Sequence, residues 1–338
     1  MSGSLPKRIW RLLRGGCGTK AAAARLGDSP PIEPAPAPAS HPLERLGLLD
    51  CFGMSDKGRV RECNEDQFLI ADLSRPATMC PVLSSLGEAW DGDEIIRANL
   101  LLVADGVGGH AGGQRASRLA VEEVAEFLHC NLERLTHHAE CGRDEVLEDL
   151  KSALIWARQC LQQEADASPQ YAKMGTTLTL AYLRWPTVFL AHVGDSRAYL
   201  YRAPDLIQLT NDQTFAQMLV DAGVITTECA QSHPWRNVLG SLLCYDLRRL
   251  VPCVYQQELS PGDQLLLCTD GLTKTVPAGA IAEILESTVA ADDACRELIE
   301  AANRAGGPDN TTVVLARFGY REAGSNPRLE LPVHIPIA

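Results

Sequence analysis

Residues 100–117 read LLLVADGVGGHAGGQRAS, an apolar run that ends in an aspartate and opens into a glycine-rich passage. Leu100-Leu101-Leu102-Val103-Ala104 has the length and composition of a buried strand, so Asp105 stands at its tip with Gly106 directly behind it. The construction repeats at 265–271, LLLCTDG, where Asp270 closes the run and Gly271 follows. Over 114–134 the period changes. Leu119, Val124, Phe127, Leu128 and Leu132 recur at three- and four-residue intervals, which predicts a long amphipathic helix.

Working outward, short Leu-, Val- and Thr-rich runs at 99–104, 176–183, 187–193, 197–201, 263–268 and 311–318, bounded by Gly, Pro or Asp, predict strands. Arg184-Trp185-Pro186 is expected to turn one hairpin and Gly194-Asp195-Ser196 the next. A second long helix is expected over 145–165, with shorter ones at 214–222, 280–287 and 292–305. Strands joined by tight turns, with helices grouped in runs, favour an α+β sandwich over a βαβ repeat.

The 338-residue chain is 46% hydrophobic and 22% charged, ordinary globular usage that excludes a disordered or fibrous chain. Its 31 Lys and Arg against 43 Asp and Glu leave a net charge of −12, which argues against nucleic acid or anionic membrane as a partner. Residues 1–25 are the exception, with six basic side chains and no acid. The segment 28–42, DSPPIEPAPAPASHP, has six prolines and predicts an extended spacer, because each proline removes a donor and fixes φ. Residues 1–45 are therefore expected to precede a folded domain over 46–319, and 320–338 to form a surface tail. Twelve scattered cysteines without a Cys-x-x-Cys pair point to reduced thiols and a cytoplasmic setting. No run is long and apolar enough to span a membrane.

Carboxylates also stand at Glu65-Asp66, where another strand-like run starts, and at Asp309, just before 311–318. A lone aspartate at such a place is ordinarily a turn cap. Four strand ends each delivering one would assemble hard oxygen ligands from distant parts of the chain, a cluster that repels itself unless cations neutralise it. No Gly-Lys-Ser/Thr follows the glycines, so they are not read as a nucleotide loop. They let the backbone pass close to a metal, where a carbonyl such as that of Gly106 serves as a ligand.

Seven stretches in order, SDKGRVRECNEDQF (55–68), LLLVADGVGGHAGGQRAS (100–117), MGTTLTL (174–180), HVGDSRAYLYR (192–202), HPWRNVLGS (233–241), LLLCTDGLT (265–273) and GGPDNTTVVL (306–315), resemble the protein phosphatase 2C family of metal-dependent serine/threonine phosphatases, in its bacterial form. The resemblance implies an α-β-β-α sandwich of two antiparallel sheets flanked by helices, with the metal site at one edge. It makes Asp105 the bridging ligand of two Mn or Mg ions, adds Asp270 and Asp309 to one ion and Glu65 with the Gly106 carbonyl to the other, and sets Asp66 beside them to hold the attacking water. Arg61 corresponds to the arginine that grips the phosphate, a task suited to a guanidinium fork. Residues 210–240 match the family's flap.

The implied activity is hydrolysis of phosphoserine and phosphothreonine in proteins, opposing a serine/threonine kinase, by a monomer. The competing reading is an inactive module that binds a phosphoprotein or a regulator. Two departures stand out. Val107 replaces a histidine found in eukaryotic relatives, and His110 is a weak substitute for it. Lys274 replaces an acid that in many relatives joins the residue matching Asp195 at a third ion, so a third ion is expected to be weak or absent. Asp195 either belongs to such a site or braces its turn. The stretch 74–97, with Trp90, is expected to be an inserted surface loop.

Overall fold

The computed structural model describes residues 44–72, 98–109, 111–131, 143–244, 250–322 and 328–329. These lie in the unit His41–Ala338, while Met1–Ser40 is a separate unit outside the described residues. The basic segment and proline spacer, the whole of the expected 74–97 insertion with Trp90, and His110 likewise fall outside them.

Two sheets carry the fold. The first contains β2 (Gln67–Asp72), β3 (Ala98–Ala104), β6 (Leu178–Arg184), β7 (Thr187–Val193) and β11 (Cys253–Glu258), in the order β11-β7-β6-β3-β2 and antiparallel throughout. The second contains β1 (Glu44–Asp56), β8 (Arg197–Arg202), β9 (Asp205–Gln208), β12 (Gln264–Cys268), β13 (Thr311–Glu322) and β14 (Arg328–Leu329), in the order β14-β1-β13-β12-β8-β9. Only the short β14 runs parallel to its neighbour.

Alternation along the strands explains the unbroken leucine runs. Leu100, Leu102 and Ala104 face α1 (Ala111–Cys130) and α2 (Arg143–Ala167), whereas Leu101 and Val103 meet Leu265, Leu267, Val314 and Ala316 between the sheets. Leu266, Cys268, Val313 and Leu315 face α6 (Ala278–Ser287) and α7 (Ala291–Arg304) on the far side. A strand covered on both faces has no place for polar alternation, and fully burying each leucine contributes about 1.5–3 kcal/mol. The layers are helix, sheet, sheet, helix, as the resemblance implies.

Several sequence expectations need correction. Trp185-Pro186 does turn a hairpin, since Arg184 pairs with Thr187. Gly194-Asp195-Ser196 does not, because β7 belongs to the first sheet and β8 to the second. Gly194, at φ +112°, lets the chain step between layers in a backbone state that a side chain strains. The run 176–183 breaks at Thr177: β5 (Gly175–Thr176) joins β4 (Gly106–Val107) and β10 (Leu243–Cys244) in a small third sheet.

Further departures concern the ends of elements. The 13-residue β1 was not among the expected strands, because its two internal glycines interrupt the apolar pattern, yet it pairs with β13 along its length. That partner carries β13 to Glu322, past the expected boundary at 319, and Arg328 and Leu329 pair with Asp50 and Cys51. Residues 210–240, the expected flap, include α3 (Phe215–Asp221), capped by Thr214, and α4 (Thr227–Gln231). A Thr214–Leu239 bridge closes its neck.

Candidate metal centre

Sequentially remote strand ends bring the acids together. Asp66 precedes β2, Asp105 follows β3, and Asp195 lies in the step between the sheets. Asp270 opens the one-turn α5 (Asp270–Thr273) rather than a plain turn, and Asp309 precedes β13. Their fields overlap. Asp105 is pushed well above the ordinary carboxylate range, first by enclosure of its carboxyl and then by Asp66, Asp270, Asp195 and Asp309.

Asp66 is 1% exposed. Its Oδ2 accepts hydrogen bonds from Thr269 Oγ1 at 2.8 Å and Thr312 Oγ1 at 2.7 Å, while Oδ1 is buried with no hydrogen-bond partner. Burial pushes this carboxyl up to about 7, against the two hydroxyls that favour its charged form, and Asp270 and Asp309 add to the rise. Asp195 is likewise pushed up to about 7, by burial first and then by Asp270 and Asp212. Asp270 is raised by burial, and its Oδ1 is also buried without a partner. Asp309 goes the other way. Burial would raise it, but Lys274 and Arg61 together hold it below the usual range.

The Glu65 carboxylate reaches the start of α1. A Cβ added at Gly113 would fall 1.9 Å from Glu65 Oε2, and one at Gly106 would fall 2.3 Å from the Gly113 carbonyl and 2.6 Å from that of Glu65. Only glycine permits this approach, which accounts for part of the glycine-rich passage. Ser117 Oγ fastens the helix to the same loop by donating to the Glu65 carbonyl at 2.5 Å.

The remaining supports were not singled out in the sequence. Asn310 Oδ1 accepts from the Glu65 amide at 2.9 Å, and its Nδ2 donates to the Lys57 and Cys63 carbonyls at 2.9 Å each. It therefore binds the 57–65 loop to the Asp309 turn across some 245 residues. The Asp105 amide donates to Thr177 Oγ1 at 3.0 Å, and that hydroxyl meets Ser196 Oγ at 2.8 Å. The only sequence signal was the polar content of TTL, TDG and DNTT inside apolar surroundings, which does not specify partners.

Two cations face the acids. Arg61 Nε lies 2.8 Å from Asp309 Oδ1, with its side chain 53% exposed. Lys274 Nζ contacts Asp270 Oδ2 and lies 3.0 Å from Asp309 Oδ2. Among the described residues no group of three or more Asp, Glu, His or Cys side chains is placed to hold a metal ion. The donor set nevertheless suits a divalent cation: it consists of hard oxygens, it is strongly self-repelling, and two of its buried atoms lack partners. Val107 is exposed and supplies no proton donor.

Comparison with known proteins follows the same lines. Residues 89–310 match the family model for protein phosphatase 2C. The serine/threonine protein phosphatase PstP of Mycobacterium tuberculosis is 40% identical over 219 residues, 65% of this chain and 40% of that protein's length. This chain thus spans well under two thirds of that relative. The serine/threonine phosphatase stp of Listeria innocua is 30% identical over 271 residues, 80% of this chain and 96% of the relative. A crystal structure of the PstP catalytic domain in complex with two manganese ions superposes with a TM-score of 0.61 at 33% identity, covering 80% of this chain and 99% of that one.

Proposed function

The chain belongs to the protein phosphatase 2C family, and on that premise we propose that it hydrolyses phosphoserine and phosphothreonine in proteins with two Mn or Mg ions. The observation that carries this reading is the convergence of Asp66, Asp105, Asp195, Asp270 and Asp309 in one field, with one buried oxygen of Asp270 left over for a cation and one of Asp66 for water. Glu65, Asp105, the Gly106 carbonyl, Asp270 and Asp309 would hold the ions. When bound, such a pair supplies Lewis acidity and an activated water for in-line displacement at phosphorus.

The side chains do the positioning. Asp66, anchored by Thr269 and Thr312 on Oδ2, offers Oδ1 to orient the attacking water and accept its proton. Arg61 turns its half-exposed guanidinium from Asp309 to the phosphoryl oxygens, where a planar fork meets two acceptors. The Thr177–Ser196 link fixes Asp105 against the step between the sheets. The flap is tied to that step, because Gln213 accepts from the Gly194 amide at 3.1 Å through Oε1 and donates its own amide to the Gly194 carbonyl at 2.7 Å. The flap is then the part of the site that meets the protein substrate.

We place the enzyme in the cytoplasm as a monomer opposing a serine/threonine kinase. In support of the cytoplasm, the described cysteines are free thiols, the state that a reducing compartment maintains. The test is hydrolysis of a phosphothreonine peptide with Mn²⁺ or with EDTA, in the wild-type chain and in Asp105→Asn and Asp270→Asn. Turnover should require Mn²⁺ and fall at least about 100-fold in each variant. Full activity in EDTA overturns the metal reading, and bound Mn²⁺ without turnover assigns the binding-module reading instead.

A further inference from the structure

We propose that Lys274 is a built-in counter-ion of the acidic centre, its ammonium standing in for one divalent cation on the outer oxygens of Asp270 and Asp309. The inference rests on the metal-centre reading above and deepens it. Lys274 caps α5, and its amide donates to the Asp270 carbonyl at 2.8 Å, so the side chain folds back over the residue that begins the helix. There Nζ bridges Asp270 Oδ2 and Asp309 Oδ2, two carboxylates 39 positions apart in the chain. The side chain is 31% exposed, which makes this a partly sheltered pair rather than a free surface contact.

Two of the five clustered acids therefore share one ammonium. Asp270 is divided by it: Oδ2 faces the lysine, while Oδ1 is buried with no partner. The geometry thus leaves one inward oxygen for an added cation and closes the outer corner to a further one. An ammonium carries a single charge and three donors, so it quiets the repulsion without providing a Lewis acid.

The experiment uses the full chain as wild type, Lys274→Met, Lys274→Arg and Lys274→Asp, stripped with EDTA and dialysed. Manganese per chain is read by equilibrium dialysis, and melting is followed with and without Mn²⁺. The wild-type chain should hold two ions and Lys274→Asp a third. Lys274→Met should bind Mn²⁺ about five- to tenfold more tightly, because a competing cation is gone. Without metal, Lys274→Met should melt about 2–4 °C below wild type, and Lys274→Arg, which keeps the charge, should recover most of that loss. Equal metal-free melting of wild type and Lys274→Met, or equal stoichiometry in wild type and Lys274→Asp, overturns the counter-ion. Three ions on the wild-type chain overturn it while leaving the phosphatase reading intact. No manganese on any of the four chains overturns the metal reading itself.

Discussion

Gly113→Ala separates the stability of the fold from the integrity of the metal centre. Gly113 is buried within α1 and has ordinary helical geometry, so alanine suits its backbone and improves helix propensity by about 0.8–1 kcal/mol. Its methyl group, however, would fall 1.9 Å from Glu65 Oε2, whereas ordinary contact begins at 3.4 Å. The difference, 3.4 − 1.9 = 1.5 Å, must be absorbed by the Glu65 carboxylate or by the helix, and the Gly106 carbonyl carbon, 3.0 Å from the added methyl, must give slightly as well. Swinging the carboxylate is the easier route, since the helix is fastened by Ser117 to the Glu65 carbonyl and packs its buried residues against the sheet. A metal ligand tolerates displacement of only about 0.2 Å. The variant should therefore melt within about 3 °C of wild type while binding Mn²⁺ about 10–100-fold more weakly. Calorimetric titration with Mn²⁺, paired with a thermal melt of the metal-free chain, reads both quantities. Undiminished Mn²⁺ affinity in a folded Gly113→Ala chain would refute the role given to Glu65, and loss of the fold would refute the claim that the carboxylate yields first.

Three further outcomes follow from the same contacts. Asn310→Ala removes three hydrogen bonds that join the 57–65 loop to the Asp309 turn and should cost about 2–4 kcal/mol, seen as a melting point lower by about 5–10 °C; an unchanged melt would mean that the loop is held by other contacts. Arg61→Ala should raise KM for a phosphothreonine peptide about tenfold with a smaller change in kcat, and a fall in kcat alone would contradict a phosphate-gripping role. Asp66 and Asp195 have folded-state pKa values raised to about 7, mainly by burial, so between about pH 4 and pH 7 the native chain holds protons that the unfolded chain has released. Metal-free stability should accordingly fall as pH rises through that window and stay low above it. Buried His192, lowered to about 4, works in the opposite direction only below about pH 6.5, so melting the EDTA-treated chain at pH 6.5 and at pH 8 isolates the acids; a higher melting point at pH 8 would contradict their placement.

Much of the architecture was legible because burial leaves a direct trace in composition. The runs LLLVA and LLLC are unbroken because each strand is covered on both faces, and the long helices announce themselves by their spacing. The glycine interruptions of β1 hid the longest described strand, whose place is set by β13, more than 250 residues away in the chain. The step at Gly194 looked like a hairpin because a tight turn reads the same whether its two strands pair or part. Within the site, Asp105 and Asp270 were found at the ends of apolar runs, and Glu65, Asp66 and Asp309 beside them. Asn310, Thr269, Thr312 and Thr177 were not, since a buried hydroxyl or amide acquires its meaning from the group it faces.

The amino-acid order by itself determined the layered α+β class and the family and singled out the acids proposed for its metal centre, because these depend on local periodicity and on residue types at set intervals. Which layer each strand entered, how the Asp66 oxygens divide between two threonines and an empty side, and that Lys274 spans Asp270 and Asp309 were decided only in the folded chain. Such contacts join positions up to 246 residues apart, and a hydrogen bond or ion pair acts over a few ångströms of space, whatever the length of chain between its partners.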